Sequence, residues 1–439
     1  MALVYLCPPP LIQTTSMSSK ICREDLLVLL ASIGVSLPTN TKISEEDLNK
    51  RLTQALDAAQ QFRTVIESTP FNPSTFPTWP LEKNLPEATV RLGIMDGVKM
   101  KLSHGPKVSA DKKDTFKEIR TAVMSFAHGI QAGQREFWLT DQLGKFEGWG
   151  IYARVRVVLL RFSQKTLPLF VVLYKELHPV ASSSIQDAVE ALLTSTNTGV
   201  LTGIQTTELE RLTMLKLFRM NTKRLTGDFY PEDSKARSQG LKPSFLLPLG
   251  PLTMREMGKL TTDTGCEVCG KKNISRCLQC LSVAYCSPEC QKHDWPNHKP
   301  TCRSLKGGTW HTVTFDTPET PHGAGVVIMN RLDTIDEVKA KGQIAPTKKG
   351  VPPDVHEGKI FLVKFQISLF QFKDEANFLL YDRQRSFQVM WWRKDDRDLF
   401  DEAEEALADE LKMYRWARRV GDYQLSVCLD RAPAQKPVW

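Results

Sequence analysis

The hydrophobic pattern of this 439-residue chain changes period several times along its length. Residues 1–22 are rich in Pro, Ser and Thr and show no periodicity, which predicts a loose tail. Over residues 23–63 the apolar positions take a helical spacing. Leu26, Leu27, Leu29, Leu30 and Ile33 make an apolar first helix, and Gly34 is placed to end it. Ser44-Glu45-Glu46-Asp47 has the form of a capping box, and Leu48, Leu52, Leu56 and Ala59 then keep helical spacing. A helical hairpin follows. Residues 64–130 read as a linker and a helix. Five prolines within 66–87 predict an extended strap, and a helix is expected over 114–131.

The period then falls to two. Ile151, Ala153, Val155 and Val157 alternate with Tyr152, Arg154 and Arg156, as in a strand with core on one side. Leu167 to Tyr174 is a second strand, joined to the first through a Gln164-Lys165-Thr166 turn. Ser184 caps a further helix, and 207–220 predicts another, so 131–245 is an α+β region. Prolines and glycines between Lys242 and Gly258 predict a linker over 246–265. Beyond Cys302, strands are expected at Trp310 to Phe315, Ile360 to Phe365, Asn377 to Tyr381, Ser386 to Trp392 and Tyr423 to Leu429, with loop over 316–357. The clearest helix of the chain is expected over 398–419, with Leu399, Ala403, Leu407, Leu411 and Tyr414 as its stripe. Residues 303–439 thus form a second α+β region. The fold class expected is α+β: a helical N-terminal region, mixed middle and C-terminal regions, and a small cysteine-rich module between them. No internal repeat is visible.

That module, residues 266–302, changes the picture most. It reads C-x2-C-x7-C-x2-C-x5-C-x3-C-x7-H-x3-C and holds seven of the ten cysteines. Cys266, Cys269, Cys277, Cys280, Cys286, Cys290, His298 and Cys302 are eight soft ligands, enough for two tetrahedral zinc sites. The segment has few apolar residues, so metal would supply most of its folding free energy, about 10–16 kcal/mol for structural zinc. Ser287 and Pro288 form a helix start between Cys286 and Cys290. Asp294-Trp295-Pro296 has the form of a second short start, and His298 and Cys302, four apart, share a helical face. Spacing alone leaves two pairings open: sequential (Cys266, Cys269, Cys277 and Cys280 together) or interleaved.

This stretch resembles a MYND-type zinc finger, with every ligand position of that pattern filled. The resemblance covers 266–302 and extends to Tyr285 and the Gln291-x-x-Asp-Trp295 run. It implies interleaved pairing: Cys266, Cys269, Cys286 and Cys290 around one Zn2+, and Cys277, Cys280, His298 and Cys302 around the other. It also implies docking of proline-containing peptides in a shallow groove that Gln291 and Trp295 would line. Trp295 equally suits a plainer role as a cover for the second site. His293 falls at no ligand position and reads as a surface residue. The hairpin at 23–63 is loosely similar to a SAP-type DNA-binding pair, but packing on a neighbouring core is the simpler expectation.

Composition is ordinary for a globular chain, with 41% hydrophobic and 25% charged residues. Net charge is +8, which permits acidic partners without demanding them. The module itself, its thiolates and two Zn2+ included, sums to about −1. Protein partners with proline-containing motifs are therefore expected ahead of nucleic acid, and the alternative function is a nucleic-acid-associated transcription regulator. No run suits a membrane span, and MALVYLCPPP does not suit an export signal. An intracellular setting is expected, nuclear or cytoplasmic. Each proposed site has four protein ligands, which leaves no open position for catalysis. MYND fingers also occur inside SET-type methyltransferases, but the only Asn-His here is Asn297-His298, within the zinc motif. GxxxxGK[ST], HExxH and GxSxG are absent. No catalytic residue is assigned, and an enzyme is not expected. Asp382-Arg383 reads as a solvated turn.

Overall fold

A computed structural model describes residues 21–37, 40–66, 68–91, 115–141, 148–162, 165–178, 185–194, 200–230, 234–261, 265–278, 283–303, 305, 307–316, 351–367, 376–408, 410–433, 437 and 439. Most of the expected tail over 1–22 and most of the expected loop over 316–357 lie outside these residues; Ile21, within the expected tail, is buried in the core.

The N-terminal hairpin forms from its own local signals. Helix α1 (Arg23–Ile33) ends at Gly34, whose φ of 102° gives the left-handed cap. Helix α2 (Glu45–Ala59) begins at Ser44, whose side chain accepts the Asp47 N–H. Leu26, Leu29, Leu30, Leu48, Leu52 and Leu56 are all fully buried in one core, as expected of a packed helical pair. The short α3 (Phe62–Val65) follows. The proline-rich strap then runs along the first sheet. The Trp79 N–H donates to the Val157 carbonyl, and the Leu159 N–H to the Pro77 carbonyl. Helices α4 (Leu85–Thr89) and α5 (Thr115–Gln131) complete this side.

The first sheet has the order β4-β1-β2-β3-β5. Its strands are β1 (Glu136–Thr140), β2 (Gly150–Phe162), β3 (Lys165–Leu177), β4 (Leu201–Gln205) and β5 (Lys242–Leu246). All neighbours are antiparallel except β1 and β4. Phe162 pairs with Lys165, so Lys165 and Thr166 lie in the strand and not in the turn. Helices α6 (Ile185–Leu193), α7 (Glu208–Thr222) and α8 (Ser234–Ser238) lie between strands. Thr207 and Glu210 form a reciprocal capping box at the start of α7.

Both faces of this sheet are covered, which corrects the one-sided strand expected at 151–157. Ile151, Ala153, Val155 and Val157 pack with α2, α5 and α7. On the opposite face Trp138 and Tyr152 lie under α6, and Val158, Leu160 and Val171 pack with Phe71 and Phe245. Tyr152 is tolerated there because its hydroxyl donates to the buried Glu136 carboxylate, which also accepts Arg154 Nε at 2.9 Å.

The stretch 246–265, expected to be a linker, is packed. Leu246, Leu247, Leu249 and Leu252 are buried, and α9 (Met254–Thr261) contributes Met257 and Leu260 to the core that holds α2. Its prolines and glycines shape a path over that core.

The second sheet is antiparallel throughout, with the order β11-β10-β9-β12-β13-β8. The strands are β8 (Trp310–Thr314), β9 (Phe361–Ile367), β10 (Asn377–Asp382), β11 (Gln388–Trp392), β12 (Lys412–Gly421) and β13 (Gln424–Cys428). Two short strands, β6 (Ser275–Arg276) and β7 (Ala284–Tyr285), pair within the cysteine-rich module. Module helix α10 spans Pro288–Arg303, and α11 spans Arg397–Leu407.

The helix expected over 398–419 is half helix and half strand. Leu399, Phe400, Ala403 and Leu407 do pack on the sheet, but the helix stops at Ala408, with φ 51°. Residues 412–421 instead form the inner strand β12 between β9 and β13. Leu411, placed on the helical stripe, is exposed, whereas Trp416 and Ala417 are buried. Two open strand edges outweighed the local helical spacing. Among the described residues no helix is long and apolar enough to cross a membrane.

Candidate metal centre

The cysteine-rich module is built from tight turns. In the first knuckle the Cys266 N–H donates to the Lys271 carbonyl, and the Gly270 N–H returns to the Cys266 carbonyl at 2.8 Å. Gly270 has φ 74°, and a Cβ there would lie 2.1 Å from the Lys42 carbonyl oxygen. The knuckle thus touches the backbone between α1 and α2, and Lys272 pairs with Asp47 at 3.2 Å. In the second knuckle the Cys277 N–H donates to the Val283 carbonyl. Ser287 caps α10 by accepting the Cys290 N–H at 3.3 Å. That helix runs unbroken through Pro296 and Pro300, so the second start expected at Asp294 is not a separate element.

These turns gather the ligand residues into two groups. The sulfurs of Cys266, Cys269, Cys286 and Cys290 lie within 4.8 Å of one another. Individual separations are 3.3 Å for Cys269–Cys286 and 3.6 Å for Cys286–Cys290. The second group holds Cys277, His298 and Cys302, all buried, with 3.8 Å between the two sulfurs. Cys280, the fourth residue expected there, lies outside the described residues. The grouping is interleaved: each set takes residues from a knuckle and from the helix beyond it. Four thiols, or thiols with an imidazole, form a soft donor set that suits Zn2+. Burial pushes the Cys266 thiol up, but backbone N–H groups of Cys286, Cys269 and Val268 outweigh it and bring the thiol down to about 6. Cys286, hydrogen-bonded to the Cys269 sulfur, is pushed up to about 12.

Residues 266–302 are a MYND finger.

Matches to curated proteins are confined to short segments. The chain is 36% identical over 76 residues to Tudor domain-containing protein 1 of Mus musculus, covering 17% of this chain and 6% of the relative. It is 45% identical over 49 residues to Egl nine homolog 1 of Homo sapiens, covering 11% and 12%. It is 49% identical over 43 residues to Histone-lysine N-methyltransferase SMYD3 of Homo sapiens, covering 9% and 10%. The chain therefore spans about an eighth or less of each of these relatives. No solved structure matches the chain.

Around the MYND finger's second group the aromatic residues are ordered. The Tyr285 hydroxyl donates to Asp294 Oδ2 at 2.6 Å, and its ring lies 5.8 Å from His298, edge-on. Burial, then that hydrogen bond, raises the Tyr285 pKa. Trp295 is half-buried, 5.9 Å from His298, so it covers the second group while keeping one side outward. Gln291 Nε2 approaches the Cys277 sulfur at 3.9 Å. His293 is exposed and belongs to neither group. Leu278, next to Cys277, is 91% exposed.

Asp382, expected on a solvated turn, is fully buried. It accepts the Ser386 N–H at 2.7 Å, the Ser386 hydroxyl at 2.6 Å, and lies 2.9 Å from His356 Nε2. His356 stacks on Phe361 at 4.0 Å. Serine and histidine both address the carboxylate, so the cluster clasps the β10–β11 turn and forms no nucleophile–base pair.

Proposed function

We propose that the protein is a non-enzymatic interaction protein, an adaptor or regulator, whose MYND finger carries two structural zinc ions and docks a proline-containing segment of another protein. The observation that supports this most directly is the interleaved grouping of ligand atoms. One ion would sit among Cys266, Cys269, Cys286 and Cys290, the other among Cys277, His298 and Cys302, with Cys280 completing it. Four protein ligands at each centre leave no position for water or substrate, which favours a structural role. The half-buried Trp295 and Gln291 would line the groove. The ions would fix the backbone of the finger, and the aromatic face would supply contact area at low entropy cost.

The metal assignment is tested by native mass spectrometry. Cys280→Ala is expected to lose one zinc, and Cys428→Ala, at a buried cysteine outside the finger, none; equal loss from both would refute it. Docking is tested by calorimetric titration of the zinc-loaded full chain with proline-containing peptides, repeated after chelation. Zinc-dependent micromolar binding is expected. Absence of peptide binding, with steeply salt-dependent DNA binding instead, would replace this reading with nucleic-acid recognition.

A further inference from the structure

The second sheet carries α11 on one face. The opposite face is aromatic and cationic. Tyr381 on β10 and Tyr414 on β12 both pair with Lys364 of β9, which places all three side by side on that face. Tyr381 and Tyr414 are buried, and the Lys364 ammonium lies 5.0 Å from the Tyr381 ring. Arg385, held by the β10–β11 turn at φ 55°, lays its guanidinium 4.2 Å from the same ring.

Trp439 fills the space between them. Its ring lies 5.1 Å from Tyr414, 6.0 Å from Tyr381 and 5.9 Å from the Arg385 guanidinium. Two features distinguish this contact from ordinary core packing. Trp439 stays half-buried. Among the described residues beyond Leu429 none is in a helix or strand, so no backbone ladder fastens those residues.

We propose that Tyr381, Tyr414 and Arg385 form a docking site for a tryptophan side chain, occupied in cis by Trp439 and open in trans to a partner peptide with a tryptophan shortly after a proline, as in Lys436-Pro437-Val438-Trp439. Two tyrosine rings and a guanidinium plane match an indole by stacking and cation–π attraction. Partial exposure and the lack of a backbone ladder among the described residues of this segment make the cis occupant displaceable. A tether of about ten residues holds it at millimolar effective concentration, so a free peptide must outcompete that. The site lies on the second sheet and stands whether or not the finger docks peptides.

The test uses the full chain and a fluorescein-labelled peptide of residues 431–439, read by anisotropy. Trp439→Ala is expected to bind the peptide at least tenfold more tightly than the wild type, and a further Arg385→Gln to weaken that binding. Equal binding to wild type and Trp439→Ala, or none to the variant, would overturn the proposal. A second measurement needs no variant. In the wild-type chain labelled with 5-fluorotryptophan, excess unlabelled peptide should move the Trp439 fluorine resonance to its solvent-exposed position. A resonance unmoved at saturating peptide would identify Trp439 as plain packing.

Discussion

Gly270→Ala tests how the finger is seated. The substitution adds one methyl group at φ 74°, a region that costs an L-residue about 1–2 kcal/mol. Its Cβ would stand 2.1 Å from the Lys42 carbonyl oxygen, where ordinary contact begins at 3.4 Å. The opposing atom is backbone, so no side chain can rotate away, and overpacking of this kind costs about 1–3 kcal/mol more. The total is about 2–5 kcal/mol. Gly133→Ala is the matched control. It has φ 88° and nothing within 4 Å of the added carbon, so it incurs the backbone cost alone. Both variants are to be compared by urea unfolding of the zinc-loaded chain and by the chelator concentration that removes zinc. Gly270→Ala should be less stable than Gly133→Ala by at least 1 kcal/mol and release zinc at lower chelator. Two variants within about 0.5 kcal/mol of each other, with unchanged zinc release, would refute the seating of the first knuckle on the α1–α2 connection.

Three further outcomes follow from the packing. Asn221 is fully buried and donates to the Gln60 side chain at 2.9 Å and the Phe245 carbonyl at 2.7 Å, so Asn221→Ala should cost about 2–4 kcal/mol in denaturant unfolding. Phe400 packs against Phe378 and Trp391 with ring separations of 4.7 and 5.3 Å, and Phe400→Ala should cost about 3–5 kcal/mol, with calorimetry showing the loss. Burial, then the Lys223 ammonium, lowers Lys216 from 10.5 to about 8. Between those values the unfolded chain holds the proton that the folded chain has lost, so stability should rise with pH across that window, by about 1–2 kcal/mol after solvent screening. Lys216→Met should abolish that rise, and an unchanged slope would refute the assignment.

What could be read from the sequence was what local chemistry controls. Gly34 and Ser44 bound their helices because a left-handed cap and a side-chain acceptor act within a few residues. The finger was legible for the same reason, since eight ligands at fixed spacing leave few geometries. Failures came where distant segments decide. Leu411 and Tyr414 continued a helical stripe, but β9 and β13 each needed a partner. Tyr152 alternated as an outward residue, yet α6 covers that face. Asp382 sits in a turn by sequence, and only the approach of His356 from 26 residues away makes it a buried clasp. The docked Trp439 could not be foreseen, because its three neighbours come from different strands and a turn.

The interleaving of the two ligand groups has a consequence for how the chain is made. Synthesis delivers Cys266, Cys269, Cys277 and Cys280 first, four thiols that could close around a single ion in the wrong combination. The partners that correct this, Cys286, Cys290, His298 and Cys302, all lie on or next to α10 and emerge later. Early metal would thus be a kinetic trap on the ribosome, resolved only by ligand exchange once the helix forms. Adding zinc before or after refolding should separate these histories: a slow phase confined to the metal-first order would mark the exchange.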